Sequence, residues 1–416
     1  MLPVIVSYCD FTVDWDYERF KREVMGYDAG VPFFTGFQAA SLGHTKYAYM
    51  KVENHRMQEL REKESFTSDH LNEPASCGIY YFKSLAYLYE LSADLLNSQI
   101  EMLNNEAYTS LLLNLCVKRN DSVFAYKINK FICFGTPEDY EQYLYWNNVF
   151  NSTSQVVDTE FAQFSLMPMA GEGIRFKEYG YKTSKPFIQI GKESLLEKCI
   201  SSLPTAANYI YIFRKNDQLQ NLIIKKIKDA MPNKPYNIIS LDHKTEGQAI
   251  TCLEAEGYYE NEESLLISSC DYALQYDDEK LLSLINSECD VIIFTFKLCS
   301  LPVGSYEDFA YCKIDELNNV KEVVEKKCIS DKPQFDQMVT GTFWFKKGSL
   351  FTTAARELLQ NRQKINNEYY VGTSINNLIN QSLKVKVFEV NQWISFGNPV
   401  ELNLYYFWEE YFEKLI

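Results

Sequence analysis

Short apolar runs alternate with longer stretches of helical spacing through the second half of the chain. Residues 164–169, 209–213, 237–241 and 265–268 read as strands, while 195–202 and 219–231 place apolar residues at helical intervals. Strand, helix, strand at that spacing needs crossover connections, so the pattern predicts an α/β fold with a mostly parallel sheet. Ligands of such sheets bind at the carboxyl ends of the strands, where Gly171 and Asp271 fall. The aromatic stretches 140–150 and 405–412 read as packed helices, the alternative for the second being a partner surface.

The pattern occurs roughly twice. Residues 4–16 read V-I-V-S-Y-C-D-F-T-V-D-W-D and residues 265–277 read L-L-I-S-S-C-D-Y-A-L-Q-Y-D, which sets Cys9-Asp10 over Cys270-Asp271. At nearly the same offset, 47–52 lie over 309–314, 78–83 over 341–346, Asn104-Asn105-Glu106 over Asn366-Asn367-Glu368, and 134–137 over 396–399. The expectation is a tandem duplication: a truncated module at 1–150, a polar linker at 151–160 and a complete module at 161–416. The counterpart of 161–261 would lie before residue 1, so a fragment or a loss from the gene is expected. A truncated sheet exposes a strand edge, and the first module is expected to pack on the second or to form a homo-oligomer.

Charge and cysteine content narrow the function classes. With 41 Lys+Arg against 56 Asp+Glu, the formal charge is −15, which argues against nucleic acid as a partner. The 11 Cys include no C-x-x-C pair, so neither a zinc cage nor a disulfide framework is expected, and the thiols read as reduced. The N-terminus has no basic segment before an apolar one, and no apolar run approaches the ~18 residues of a membrane span. A cytoplasmic protein with no membrane partner is expected. The four His share no ligand spacing, and no G-x-S-x-G elbow occurs.

The chemistry-bearing segment is 167–176, M-P-M-A-G-E-G-I-R-F, followed by Lys185-Pro186. Two glycines after a strand let backbone N–H groups approach anionic oxygens, and Arg175 and Lys185 add positive charge. The segment reads as a phosphate cradle or, more blandly, as a tight turn with solvated cations; it is neither a Walker A loop nor a dinucleotide fingerprint.

Strand, A-G-x-G-x-R-F and K-P-F-I together resemble the sugar-phosphate nucleotidyltransferases, in particular the capsule-locus branch. The resemblance spans the whole second module and implies a Rossmann-like, GT-A-related fold. It further implies that an NTP and a sugar phosphate, or a similar phosphate monoester, react with release of pyrophosphate. Carried over residue by residue, it makes Arg175 and Lys185 catalytic and Ala170, Gly171, Gly173, Glu246 and Gly247 nucleotide-binding. Asp271 would bind Mg²⁺, and Glu325, Lys326 and Gly341 the acceptor. Read from the residues alone, Asp271 is also a candidate helix N-cap and Glu325-Lys326 a surface ion pair.

The sequence departs from the family pattern in several places. Ser395, and Cys133 in the first module, stand where many members carry a second metal carboxylate. Ala310 and Ala48 replace a glycine under the substrate, and Gln275 stands where the first module has Asp14. Two rivals follow: a glycosyltransferase of related fold, suggested by Asp14-Trp15-Asp16, and a non-catalytic nucleotide or sugar-phosphate sensor, suggested by Ser395 and Ala310.

Overall fold

The computed structural model describes residues 2–43, 45–97, 106–152, 159–171, 173–215, 219–298 and 304–414. His44, Asn104, Asn105, residues 153–158 of the expected linker, Glu172 and Cys299 lie outside the described residues. Two compact units emerge, Met1–Leu144 with Phe407–Ile416, and Tyr145–Tyr406. Their limits fall inside the helices Pro137–Asn151 and Pro399–Glu413, not at the expected 151–160.

The first unit contains β1 (Val4–Ser7), β2 (Phe11–Asp14), α1 (Tyr17–Val24), β3 (Ala29–Phe34), β4 (Ala48–Glu53), β5 (Arg56–Glu62), β6 (Ala75–Ser76), β7 (Ile79–Phe82), α2 (Leu85–Asn97), α3 (Leu111–Lys118), β8 (Val123–Lys127) and β9 (Lys130–Cys133), and then α4 (Pro137–Asn151) begins. Its sheet runs β1-β7-β3-β6-β4-β5-β8, with β3 also paired to β8. Ala29, Val31 and Phe33 face Leu91 of α2 and Leu112 and Cys116 of α3, while Phe34 joins Phe20 and Val24 of α1 on the other side. That alternation is the period of two of a strand covered on both faces.

The second unit follows with β10 (Ala162–Met169), α5 (Ile174–Glu178), β11 (Gln189–Ile190), β12 (Glu193–Ser194), α6 (Leu195–Ser202), β13 (Ala206–Arg214), α7 (Gln220–Ala230), β14 (Tyr236–Leu241), α8 (Gln248–Leu253), β15 (Leu265–Ile267), β16 (Tyr272–Gln275), α9 (Asp278–Ile285), β17 (Val291–Phe296), β18 (Ala310–Ile314), β19 (Val320–Glu325), β20 (Gln337–Phe345), α10 (Gly348–Gln360), α11 (Val371–Asn380), β21 (Val385–Glu389), β22 (Gln392–Ser395) and α12 (Pro399–Glu413). Its main sheet has the order β14-β13-β10-β15-β20-β17-β21, and the β18–β19 hairpin attaches to β20. Leu166, Ile210, Ile212, Leu265 and Ile267 pack under α8, α10 and α11, and Met167, Tyr211, Phe213 and Leu266 under α6, α7 and α9. Helix α6 starts where the sequence signals it: Ser194 accepts from the Glu197 backbone, and the Glu197 carboxylate accepts from Ser194 N at 2.7 Å.

The main sheet is mostly parallel, as expected, with β20 alone reversed along its path. β14, β13, β10 and β15 run parallel, as do β17 and β21, but β20 is antiparallel to β15, β17 and β18. The cause is local: β20 is reached through the β18–β19 hairpin, which reverses the chain without a helical crossover.

Corresponding pairings recur in the two units. β1·β7 and β15·β20 are antiparallel with Ile5↔Tyr81 and Leu266↔Trp344, and β3·β8 and β17·β21 are parallel with Ala29↔Val123 and Val291↔Val385. β2·β9 and β16·β22 match as well, through Phe11↔Cys133 and Tyr272↔Ser395. In the second unit β15 also carries β10 on its other side.

Candidate functional site

Asp271 lies just beyond β15, at the carboxyl end of the parallel strands. The β16–β22 ladder fixes it, because Phe396 N donates to the Asp271 carbonyl at 2.8 Å. No helix follows it, so the N-cap reading is overturned; Asp277 caps α9 instead, accepting from Lys280 N at 3.0 Å. The Asp271 carboxylate accepts from Ser269 Oγ at 2.7 Å and from Lys185 Nζ at 3.3 Å. Burial pushes its pKa up, but the Lys185 charge, the Ser269 and Lys185 hydrogen bonds and the Arg175 charge outweigh it, leaving the carboxyl below the ordinary aspartate range.

Lys185 opens a single 3-10 turn, Lys185–Phe187, and its Nζ sits 5.5 Å from the ring centroid of the buried Phe176. Its side chain is 16% exposed against 40% for Asp271, so the ammonium is largely enclosed while the carboxylate still meets solvent. Gly173 takes φ +62°, and a Cβ there would lie 3.7 Å from Lys185 Cβ. A Cβ on Gly171 would meet no atom within 4 Å, so open space borders this segment. Ala170 packs partly against the core, and Arg175 is exposed on α5. Gly341 is tied to the same strand: the Tyr272 ring lies 3.5 Å from where its Cβ would be, and the Tyr272 hydroxyl bonds Thr342 Oγ1 at 2.5 Å and Ser269 N at 3.2 Å.

Glu246 and Gly247 belong to a second group, assembled around residues 369–372. Tyr369 N donates to Glu246 O at 2.8 Å, Ala249 N donates to Tyr369 O at 3.0 Å, and Glu246 pairs with Lys364 at 2.9 Å. Glu325 ends β19 beside the start of α11, where a Cβ on Gly372 would come within 2.5 Å of Glu325 Oε1. Its side chain has no hydrogen bond or ion pair among the described residues. Burial raises its pKa to about 7, and the Lys326 charge only partly offsets that. The surface ion-pair reading fails, because Lys326, at φ +56°, sends its Nζ to the Asp308 carbonyl.

Several of these partners carry no sequence signal. Ser269, Tyr369, Lys364 and Gly372 are separated from the residues they serve or sit in unremarkable segments. Glu62-Lys63 was legible, lying at the repeat offset from Glu325-Lys326: Lys63 takes φ +55° and Ser110 Oγ donates to Glu62 at 2.5 Å. Asp14-Trp15-Asp16 has structural uses. Asp16 caps α1 through Arg19 N at 2.8 Å, Asp14 pairs with Lys414 at 3.3 Å, and Trp15 packs on Phe20 with ring centroids 5.0 Å apart. Ala310 is buried in the core of the second unit. Among the described residues no group of three or more His, Cys, Asp or Glu could hold a metal ion, none of the ten cysteines forms a disulfide, and no helix is long and apolar enough to cross a membrane.

The Nucleotidyl transferase family matches residues 167–402, more than half of the chain, and the chain belongs to that family. Among solved structures, it is similar to the nucleoside-diphosphate-sugar pyrophosphorylase from Vibrio cholerae RC9, at 21% identity and TM-score 0.48, over 58% of this chain and 98% of that one. It is also similar to the inositol-1-phosphate CTP transferase from T. maritima, at 16% identity and TM-score 0.46, over 60% and 96%. A UDP-glucose pyrophosphorylase complexed with UDP-glucose matches at 14% identity and TM-score 0.47, over 61% and 99%. No curated protein matches the chain.

Proposed function

We propose that residues 161–416 form a module that transfers an NMP from an NTP to a sugar phosphate or similar phosphate monoester with release of pyrophosphate. The pathway served is capsule or surface polysaccharide synthesis in the cytoplasm. The observation that carries the reading is the Lys185–Asp271 pair beside the open space at Gly171 and Gly173. A largely enclosed ammonium held by one carboxylate can pass to phosphate oxygens, and glycines bordering open space let those oxygens approach the backbone.

In this reading an oxygen of the acceptor phosphate attacks the α-phosphorus, the bond from that phosphorus to the bridging oxygen breaks, and pyrophosphate leaves with the electron pair. Such a displacement needs charge stabilisation and in-line placement more than covalent help. Arg175 and Lys185 supply positive charge, Ala170, Gly171 and Gly173 border the triphosphate, and Glu246 and Gly247 border the base. Lys326 and Gly341 border the acceptor, whose hydroxyls donate to the unpartnered Glu325 in the room left by Gly372. In the first unit Ser110 makes the corresponding bond to Glu62.

The donors around Asp271 suit Mg²⁺: a carboxylate and the Ser269 hydroxyl are hard oxygens, and Mg²⁺ is commonly held by one or two carboxylates together with substrate phosphates. When bound, Mg²⁺ neutralises charge on the phosphate oxygens.

The chain is further read as a duplication in which 1–150 corresponds to the part of the second module that starts at β15; the recurring strand pairings support this. The test is pyrophosphate release from the four common NTPs with Mg²⁺ and a panel of sugar 1-phosphates and other small phosphate monoesters. Turnover with one NTP, lost in Arg175→Ala and Asp271→Asn, is expected. Nucleotide binding without turnover across the panel would replace this reading with a sensor.

A further inference from the structure

Helices α4 and α12 hold equivalent places in the repeated pattern: the offset that sets Pro137 over Pro399 also sets Tyr143 over Tyr405, Trp146 over Trp408 and Phe150 over Phe412. Each helix changes unit along its length. The last turns of α4, from Tyr145, belong to the second unit, and the last turns of α12, from Phe407, belong to the first. In the second unit Trp146 and Phe150 meet Tyr405, with ring centroids 6.1 and 5.3 Å apart. In the first unit Trp408 and Phe412 meet Tyr143, at 6.0 and 5.7 Å. The stacking within each helix repeats too, Trp146 on Phe150 at 6.0 Å and 20°, Trp408 on Phe412 at 5.9 Å and 24°. Every ring has thus exchanged its partner for that partner's twin. Contacts in which residue i meets j, and the twin of i meets the twin of j, define an isologous interface, the kind that two copies of one protein form with each other.

The polar clamps around this aromatic core differ. In the second unit the Tyr145 hydroxyl donates to Trp393 O at 2.6 Å and Gln275 Nε2 donates to Val149 O at 2.8 Å, so the end of α4 grips both strands of the β16–β22 ladder that follows Asp271. In the first unit charge does the equivalent work on the β2–β9 ladder: the buried Lys130 reaches Phe407 O at 3.1 Å and Glu410 at 2.8 Å, and Lys414 pairs with Asp14 at 3.3 Å. Two identical copies must use identical clamps. Two linked modules need only keep the shared core, and only the core is repeated.

We infer that the first module is a built-in partner subunit: α4 and α12 form within one chain the isologous interface of a two-copy protein, and each module completes its fold with the terminal helix of the other. This rests on the duplication reading above. The Asp271 ladder is one of the two structures closed in this way.

The experiment cuts the folded full chain and needs neither substrate nor turnover. A recognition sequence for a site-specific protease replaces residues 153–158, and the cut protein is followed by light scattering on dilution. The two pieces are expected to remain one particle with the mass of the whole chain. Tyr143→Leu and Tyr405→Leu, made one at a time, keep a large apolar side chain and remove the ring. Each is expected to weaken the association at least about 10-fold, and by similar factors, as for aromatic anchors at the centre of an interface.

Pieces of the wild-type chain that separate in native buffer overturn the interface and leave the duplication reading standing. Pieces that stay together equally well in both variants are held elsewhere, which also overturns it. A loss in one variant and not in the other refutes the exchange of partners, and counts against the duplication as well.

Discussion

Gly247 and Gly171 were both expected to bring backbone close to nucleotide, and the structure assigns them different constraints. A methyl at Gly247 would lie 2.6 Å from both N and O of Tyr369, and these are main-chain atoms held by hydrogen bonds to Glu246 O and from Ala249 N. The residue also takes φ +113°, ψ 172°, a region that side-chain-bearing residues essentially never adopt. Gly247→Ala therefore meets two costs: roughly 1–3 kcal/mol of backbone strain and roughly 1–3 kcal/mol of overpacking. The sum, about 2–6 kcal/mol, converts to a fall in melting temperature of roughly 5–20 °C for a unit of this size, at about 2–4 °C per kcal/mol. Gly171→Ala adds its methyl to open space and is expected to leave the melting temperature within about 2 °C, as exposed substitutions without a named defect usually do. The same methyl narrows the approach to phosphate, so Gly171→Ala is expected to weaken NTP binding with the fold intact. Thermal unfolding by circular dichroism without ligand, and NTP titration calorimetry on Gly171→Ala, decide the matter. A Gly247→Ala protein that melts within about 2 °C of wild type refutes the packing argument.

Three further outcomes are expected. Glu325, raised from the ordinary 4.5 to about 7, binds more protons folded than unfolded between those values, so stability falls as pH rises through that window; Glu325→Gln removes the dependence. Urea unfolding of both proteins at pH 5 and pH 8 checks this, and a wild-type-to-variant difference that stays constant with pH counts against the buried carboxylate. Tyr272→Phe removes a hydroxyl bonded to both Thr342 Oγ1 and Ser269 N, leaving a buried Thr342 hydroxyl short of a partner. It is expected to cost about 1–3 kcal/mol by denaturant midpoint. Lys185→Met keeps much of the side-chain volume and removes the cation on Asp271. Pyrophosphate release is expected to fall at least about 100-fold with little change in melting temperature, as for loss of a preorganised charge aimed at the transition state; activity retained within a few-fold would sink its role.

The strands of the second unit were legible because each is a short apolar run bounded by polar turns, and 209–213 or 237–241 differ from β13 and β14 only at their ends. The direction of β20 was not, because an apolar run reads the same in either direction and only the hairpin before it sets its sense. At the site, Gly173, Lys185 and Asp271 were named from sequence and the fold brings them together. Their support was hidden, since Ser269 is a common residue beside a strand end and Lys364 lies far along the chain from Glu246. Gly372 is the instructive case. Its meaning comes from what it omits: a side chain there would collide with Glu325 Oε1, whereas Ser110 in the first unit donates to Glu62. The difference at this offset accounts for two carboxylates at the ends of two similar hairpins, one satisfied from within and one without a hydrogen-bond partner among the described residues. Gly372→Ser is accordingly expected to place a hydroxyl on Glu325 and to weaken acceptor binding more than NTP binding, and equal losses of the two would show that the glycine serves packing alone.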